Sequence, residues 1–212
     1  MTSTESSQGP AGFDLGRLFA ELKDRRLPPV DKWEPPFCGD IDMRIARDGS
    51  WHYLGTPIGR REMVRLFSTV LRRDADGRYY LVTPAEKCGI TVDDAAFVAV
   101  ELLVEGQGPG QRLSFRTNVD DVVSAGPEHP LRVEIDPASG APAPYVHVRG
   151  RLEARVNRPV FYELVALAEP DPERPDAIGV WSDGKFFPLG RRSPEAARME
   201  MTTIRRCRPN DR

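Results

Sequence analysis

The sequence predicts an α+β protein in which antiparallel β-hairpins alternate with single helices, arranged as two similar subdomains that form an internal pseudo-repeat. Three observations predict it. Residues 40–67, DIDMRIARDGSWHYLGTPIGRREMVRLF, read as a hairpin that runs directly into an amphipathic helix. A fainter copy, YVHVRGRLEARVNRPVFYELV, fills residues 145–165, displaced by 98 positions so that Leu54 falls on Leu152, Ile58 on Val156 and Arg60 on Arg158. The pattern Asp-Gly-x-aromatic occurs three times, at Asp48–Trp51, Asp76–Tyr79 and Asp183–Phe186.

The elements follow in order. Residues 1–12 are small and polar, the composition of a disordered leader. Phe13, Leu15, Leu18, Phe19 and Leu22 recur at helical spacing behind Asp14 as N-cap, which predicts a short amphipathic helix. Leu27–Phe37 holds two Pro-Pro pairs; proline lacks a donor and fixes φ, so this is an extended connector that Trp33 pins to the core. Ile41, Met43 and Ile45 alternate with polar partners at the period of a half-buried strand, and Asp48-Gly49 turns the chain back into Trp51 and Tyr53. Thr56-Pro57 ends that strand. A helix over residues 60–72 buries Met63, Val64, Phe67, Val70 and Leu71 and exposes Arg61, Glu62, Arg65 and Arg72. Strands follow at Tyr79–Val82, Ile90–Val92, Phe97–Val104 and Leu113–Thr117.

Gly126–Pro130 marks the boundary between the halves, so the predicted organisation is residues 1–26 as leader and helix, 27–126 and 127–192 as the two subdomains, and 193–212 as tail. In the second half, strands at Leu131–Ile135, Tyr145–Val148 and Leu152–Val156 lead to a helix capped by Asn157, with Pro159 tolerated in its first turn. Residues 169–175 read as a loop, residues 178–189 as a hairpin, and Ser193-Pro194-Glu195 as the cap of a terminal helix.

Composition narrows the class. A chain of 212 residues with 40% hydrophobic and 29% charged residues is long enough to bury a substantial core. A net charge of −2 exerts no overall pull toward nucleic acid or membrane. The three cysteines, Cys38, Cys88 and Cys207, are far apart and show no metal-ligand spacing, which fits a reducing compartment. Neither a secretory pattern nor an apolar run of membrane-spanning length is present, so the expected location is the cytoplasm.

At Trp33–Pro36, Cys38–Asp42, Asp48–Trp51, Pro57–Arg60, Leu66-Phe67, Thr83–Lys87 and Val92–Asp94, and again at Tyr145–Arg149 and Leu152–Leu164, the chain resembles the bacterial domain-of-unknown-function family 1285. The likeness covers roughly residues 27–190 and lies in the order and density of the segments. It implies two α+β subdomains sharing a structural motif, and a ligand-binding or signalling role. No catalytic residue comes with it.

Three sets of side chains could carry chemistry. Asp40 and Asp42, at i and i+2 on a strand, could share a hard metal ion with Glu86 and support a metal-assisted hydrolase; the bland alternative is a solvated strand face. The stretch Thr83–Cys88 gathers a hydroxyl, a carboxylate, an ammonium and a thiol, or is simply a turn. Seven arginines, Arg44, Arg60, Arg116, Arg149, Arg151, Arg155 and Arg158, offer forks for an anion, or each neutralises a neighbouring carboxylate. Arg60 and Arg158 sit at two predicted helix starts, where the helix dipole disfavours a cation.

The leading expectation is a non-enzymatic module with a regulatory role that binds a small anionic ligand or a protein partner. Its site would be built from Asp42, Arg44, Trp51, Arg60, Glu86, Arg149 and Arg158, without cofactor, metal, nucleic acid or membrane. The alternatives are the hydrolase and a pure interaction scaffold.

Overall fold

The structure is a computed structural model that describes residues 27–137, 139–174 and 176–191. The predicted helix over residues 13–22, the terminal helix and the tail lie outside the described residues. Contacts divide the chain into two units, one of Met1–Arg44 with Trp51–Thr91 and the other of Ile45–Ser50 with Val92–Arg212. The expected boundary at Gly126–Pro130 falls inside the second unit, between two of its strands. No described helix is long and apolar enough to cross a membrane.

The first unit carries a six-stranded sheet and one helix. Its strands are β1 (Phe37–Ile45), β2 (Trp51–Tyr53), β3 (Thr56–Pro57), β4 (Leu71–Arg73), β5 (Tyr79–Val82) and β6 (Lys87–Val92), in the order β3-β2-β1-β6-β5-β4. Alternation dictates β1: Met43 is buried while Asp42 and Arg44 face solvent. Lys87 N donates to the Pro36 carbonyl (3.0 Å) at the start of β1 and β6, and Asp93 N to the Ile45 carbonyl (3.0 Å) at their ends. Those bonds run β1 and β6 in the same direction. The β4–β5 and β5–β6 pairs are antiparallel.

Helix α1 (Arg61–Thr69) buries Phe67, whose ring stacks on Trp51 at 6.1 Å between centroids. It stops before residue 72, because Leu71–Arg73 pairs with β5 instead. The proline-rich connector is held by Arg72. This guanidinium is 8% exposed, pairs with Asp74 (2.6 Å), and donates to the carbonyls of Val30 (2.9 Å) and Trp33 (2.7 Å). A buried cation with a carboxylate and two carbonyl partners has its hydrogen-bonding demand met, and it ties segment to sheet. Trp33 itself is only half-buried.

The second unit repeats the plan with longer strands: β7 (Phe97–Glu105), β8 (Arg112–Thr117), β9 (Val122–Ser124), β10 (Leu131–Ile135), β11 (Pro142–Arg149) and β12 (Leu152–Val156). Their order is β10-β11-β12-β7-β8-β9, with β12 and β7 parallel and the other pairs antiparallel. Both six-stranded sheets therefore consist of two strand triplets joined along one central parallel pair. This pairing with β12 keeps β7–β9 in the second unit. Helix α2 (Arg158–Ala166) follows β12, with Val160 and Leu164 buried and its body against β7. A separate antiparallel sheet holds β13 (Glu169–Pro170), β14 (Ala177–Ser182) and β15 (Lys185–Arg191). Glu169-Pro170, expected as loop, thus makes a short strand.

The two units share the run from hairpin to helix to three-stranded meander. α+β holds as the fold class, with the balance on the β side: two helices against fifteen strands among the described residues. In the first unit the meander joins the hairpin's own sheet. In the second it forms a sheet of its own, because β7 already occupies the free edge of β12.

The hairpin turn Ile45–Ser50 belongs to the second unit. Gly49 adopts φ +84°, and an added Cβ would lie 2.6 Å from Asn118 Nδ2. That Asn118 amide donates to the Gly49 carbonyl (3.1 Å), while its oxygen accepts from Val98 N (3.0 Å). Glycine is required there twice over, by backbone conformation and by close approach.

Candidate functional site

Of the seven candidate residues, five fall in the first unit and two in the second. Asp42 and Arg44 are exposed on β1, Arg60 is the exposed N-cap residue of α1 and makes no side-chain cap, and Glu86 lies half-buried in the β5–β6 turn. Trp51 is 1% exposed and stacked on Phe67, so it is a core residue rather than part of a lining. In the second unit Arg158 is exposed at the first turn of α2, and Arg149 pairs with Asp121 and lies 5.0 Å over the Phe97 ring. Local pairing, the bland alternative, accounts for Arg116 as well, which holds Glu101 and Asp120.

The acidic candidate meets a similar fate. Asp40 faces Arg78 across 2.5 Å. Among the described residues no three His, Cys, Asp or Glu side chains are placed to hold a metal ion. Asp40, Asp42 and Glu86 are therefore not assembled as a metal-binding set, because successive strand residues of one face splay along the sheet and the turn bearing Glu86 does not complete them. Thr83–Cys88 is the turn its alternative reading describes: the Thr83 hydroxyl accepts from Glu86 N (3.1 Å), and Lys87 pairs with Asp74 (3.2 Å).

The second unit contains a cleft of about 300 Å³ lined by Arg47, Asp93, Asp94, Glu134, Ile135, Asp136, Pro137, Ala143 and Tyr145. Three elements build it: the Ile45–Ser50 turn delivers Arg47, the bend before β7 delivers Asp93 and Asp94, and β10–β11 with their connecting loop deliver the rest. Asp94 is the hub. Its carboxylate accepts from the Tyr145 hydroxyl (2.7 Å) and from Arg47 Nε (3.2 Å), and lies 3.4 Å from Arg155 Nε. Arg47 reaches on to Asp136 (3.3 Å), whose other oxygen accepts from Ser139 N (3.1 Å) and so shapes the loop. Behind the wall, Arg132 pairs with Glu134 and with Glu153 (2.6 Å), and its guanidinium covers the Tyr145 ring at 4.5 Å.

Electrostatics follow from these contacts. Burial, and then the hydrogen bond to Asp94, push the Tyr145 phenol up to about 12. The hydrogen bond to Asp136 and the charge of Asp94 raise Arg47 further. Four carboxylates face one guanidinium at the surface of the cleft. Arg155 and Arg132 stand behind it, but Arg132 also holds Glu153, so five carboxylates against three guanidiniums leave the site negative by two charges.

Sequence reasoning missed these residues. Asp93-Asp94 and Tyr145 stand in the sequence only within segments of the family resemblance, Tyr145 also on a predicted strand, and Arg47 only beside a turn. Their assembly needs the fold to bring together segments 51 residues apart, as Tyr145 and Asp94 are, and no local motif encodes that.

Fold and site together define a two-unit α+β protein, built on paired six-stranded sheets, with a polar cleft in the second unit. Comparison with known families places it. The chain belongs to DUF1285: the family's N-terminal domain, described as a domain of unknown function, matches residues 28–95, and its C-terminal domain, from a protein of unknown function, matches residues 96–189. Among solved structures it is similar to a DUF1285 family protein from Silicibacter pomeroyi DSS-3, at 53% identity and a TM-score of 0.77, covering 85% of this chain and 97% of that one. A DUF1285 family protein from Shewanella baltica OS155 is 24% identical over 58% of this chain and 90% of that one, with a TM-score of 0.46. No curated protein matches. The family models meet at residues 95/96, close to the division by contacts.

Proposed function

We propose that the protein is a ligand-binding module with a regulatory role, and that its second unit takes a small amine-bearing molecule in the Arg47–Tyr145 cleft. The observation that carries this is the cleft's charge: four carboxylates around one half-exposed guanidinium, in a volume at the lower end of small-ligand sites. A protonated amine satisfies the excess carboxylate. An anionic group on the same molecule could meet the solvent side of Arg47, which is where the expectation of an anionic ligand re-enters. Binding is favoured over conversion because the two cleft groups with shifted proton affinity, Tyr145 and Arg47, are both moved away from neutrality, whereas a general acid or base works best near the operating pH.

The test is a thermal-shift series with monoamines, diamines and amino acids against phosphate and simple carboxylates, followed by calorimetry. Amine-bearing compounds should raise the melting temperature and lose that effect in Asp136→Asn. A response to phosphate or carboxylate alone, abolished by Arg47→Ala, would replace this reading with the anionic one. No response from any class in a folded protein would leave the interaction scaffold.

A further inference from the structure

We propose that Cys38 and Cys88 form a peroxide-responsive thiol pair that closes into a disulfide between β1 and β6. The first-unit sheet places them side by side. β1 and β6 are hydrogen-bonded neighbours that begin at Phe37 and Lys87, and Lys87 N donates to the carbonyl of Pro36. In a parallel ladder that bond aligns Phe37 with Lys87, and so Cys38 with Cys88. Side-chain contacts agree with this register. Phe37 packs edge-on against Tyr80 (6.1 Å), and Lys87 Nζ lies 4.6 Å from the same ring, so both project from one face. Cys38 and Cys88, one position on, both turn to the other, where Leu81 is the Cα partner of Cys88. Neighbouring strands lie about 4.8 Å apart, inside the Cα separation of roughly 4.4–6.8 Å that disulfides span.

The two thiols differ in the way a reacting and a resolving cysteine differ. Cys38 is exposed and its Sγ contacts the Pro36 carbonyl at 3.6 Å. Cys88 is 3% exposed; burial, then Glu86 and Cys38, push its thiol up to about 11, so it stays protonated at neutral pH. Cys38 as thiolate attacks a hydroperoxide, taking one oxygen as sulfenic acid and releasing the alcohol or water. The Cys88 sulfur then attacks that sulfur, the S–S bond forms, and the hydroxyl leaves as water with the Cys88 proton. Two thiols and one hydroperoxide thus give one disulfide, one alcohol and one water. Gly39, beside Cys38, takes φ +103°, a conformation that glycine adopts without a Cβ penalty.

The full-length protein, as wild type and as Cys207→Ser, is treated with hydrogen peroxide or tert-butyl hydroperoxide, blocked with an alkylating agent, and digested without reduction. A peptide joining Cys38 to Cys88 is expected, with free thiols falling from three to one in the wild type, and reversal by a dithiol. In Cys88→Ser, which keeps the size of the buried group, Cys38 should accumulate as sulfenic acid. Two results overturn the pair: Cys38 advancing to sulfinic acid in the wild type while Cys88 remains alkylatable on denaturation, or Cys38 linking to Cys207 alone.

Discussion

Removing the Tyr145 hydroxyl is the most direct probe of the charge network. In Tyr145→Phe the ring keeps its place under Arg132 at 4.5 Å, and only the 2.7 Å bond to Asp94 is lost. A hydrogen bond to a charged group contributes roughly 1.5–3 kcal/mol. Asp94 is 13% exposed on its side chain and keeps Arg47 and Arg155, so the loss belongs near the lower end, about 2 kcal/mol. For a chain of this size that corresponds to a fall of about 4–8 °C in Tm. Urea and thermal unfolding of both proteins measure it. The pH dependence gives a second reading with a definite sign. The folded phenol titrates near 12, above its ordinary value of 10. A raised folded value favours the protonated form, so wild type keeps its full advantage over the variant below pH 10 and loses it as pH climbs from 10 toward 12. Equal stability of the two proteins at pH 7, or an advantage that grows above pH 10, would refute the assignment of Tyr145 as a buried donor to Asp94.

Three further outcomes follow from single contacts. Ser182 is fully buried, accepts from Leu113 N (2.9 Å) and donates to the Ala125 carbonyl (2.7 Å); Ser182→Ala strands both groups and should cost about 2–3 kcal/mol by urea unfolding. At Gly179 an added Cβ would lie 2.3 Å from the Phe187 carbonyl oxygen and 2.7 Å from the Phe186 ring, so Gly179→Ala should destabilise by about 1–3 kcal/mol or abolish soluble expression, while Gly184→Ala, with open space but φ +72°, loses less. Asn157 caps α2 by accepting from Val160 N (3.0 Å); Asn157→Ala should cost about 1 kcal/mol, whereas Arg60→Ala, at the equivalent start of α1 without a side-chain cap, should leave stability nearly unchanged.

Those paired positions also show what was legible beforehand. Residues that obey a period were readable: Met43 and Ile45 on β1, Leu113 and Phe115 on β8, and the Asp-Gly turns, where Gly49, Gly77 and Gly184 all take positive φ. The 98-residue echo was readable for the same reason, since hairpin, helix and meander recur. The short strands β4, β9 and β13 were not, because so short a run without a turn signal beside it exists only through its partner. For the arginines the sequence leaves anion binding and local pairing both open. Arg116 and Arg149 sit opposite Glu101 and Asp121, which neighbour them only after the strands pair, and Arg72, expected on the exposed face of a helix, is instead buried in β4. The cleft was invisible because Arg47, Asp94, Asp136 and Tyr145 come from four separate stretches and none belongs to a recognisable spacing.

The central parallel pair of the second unit has a kinetic consequence. β7 and β12 meet through residues 97–99 and 154–156, extended by the bond from Asn157 N to the Ala99 carbonyl, and four other strands lie between them along the chain. Each flanking triplet can zip up from local hairpins, but the seam closes a long loop and must wait for both. The amides of Arg155 and Asn157, which face β7, should therefore gain protection from hydrogen exchange last during refolding. A rate set by that closure would respond to lengthening the loop before Leu131 while leaving the triplets' own formation untouched.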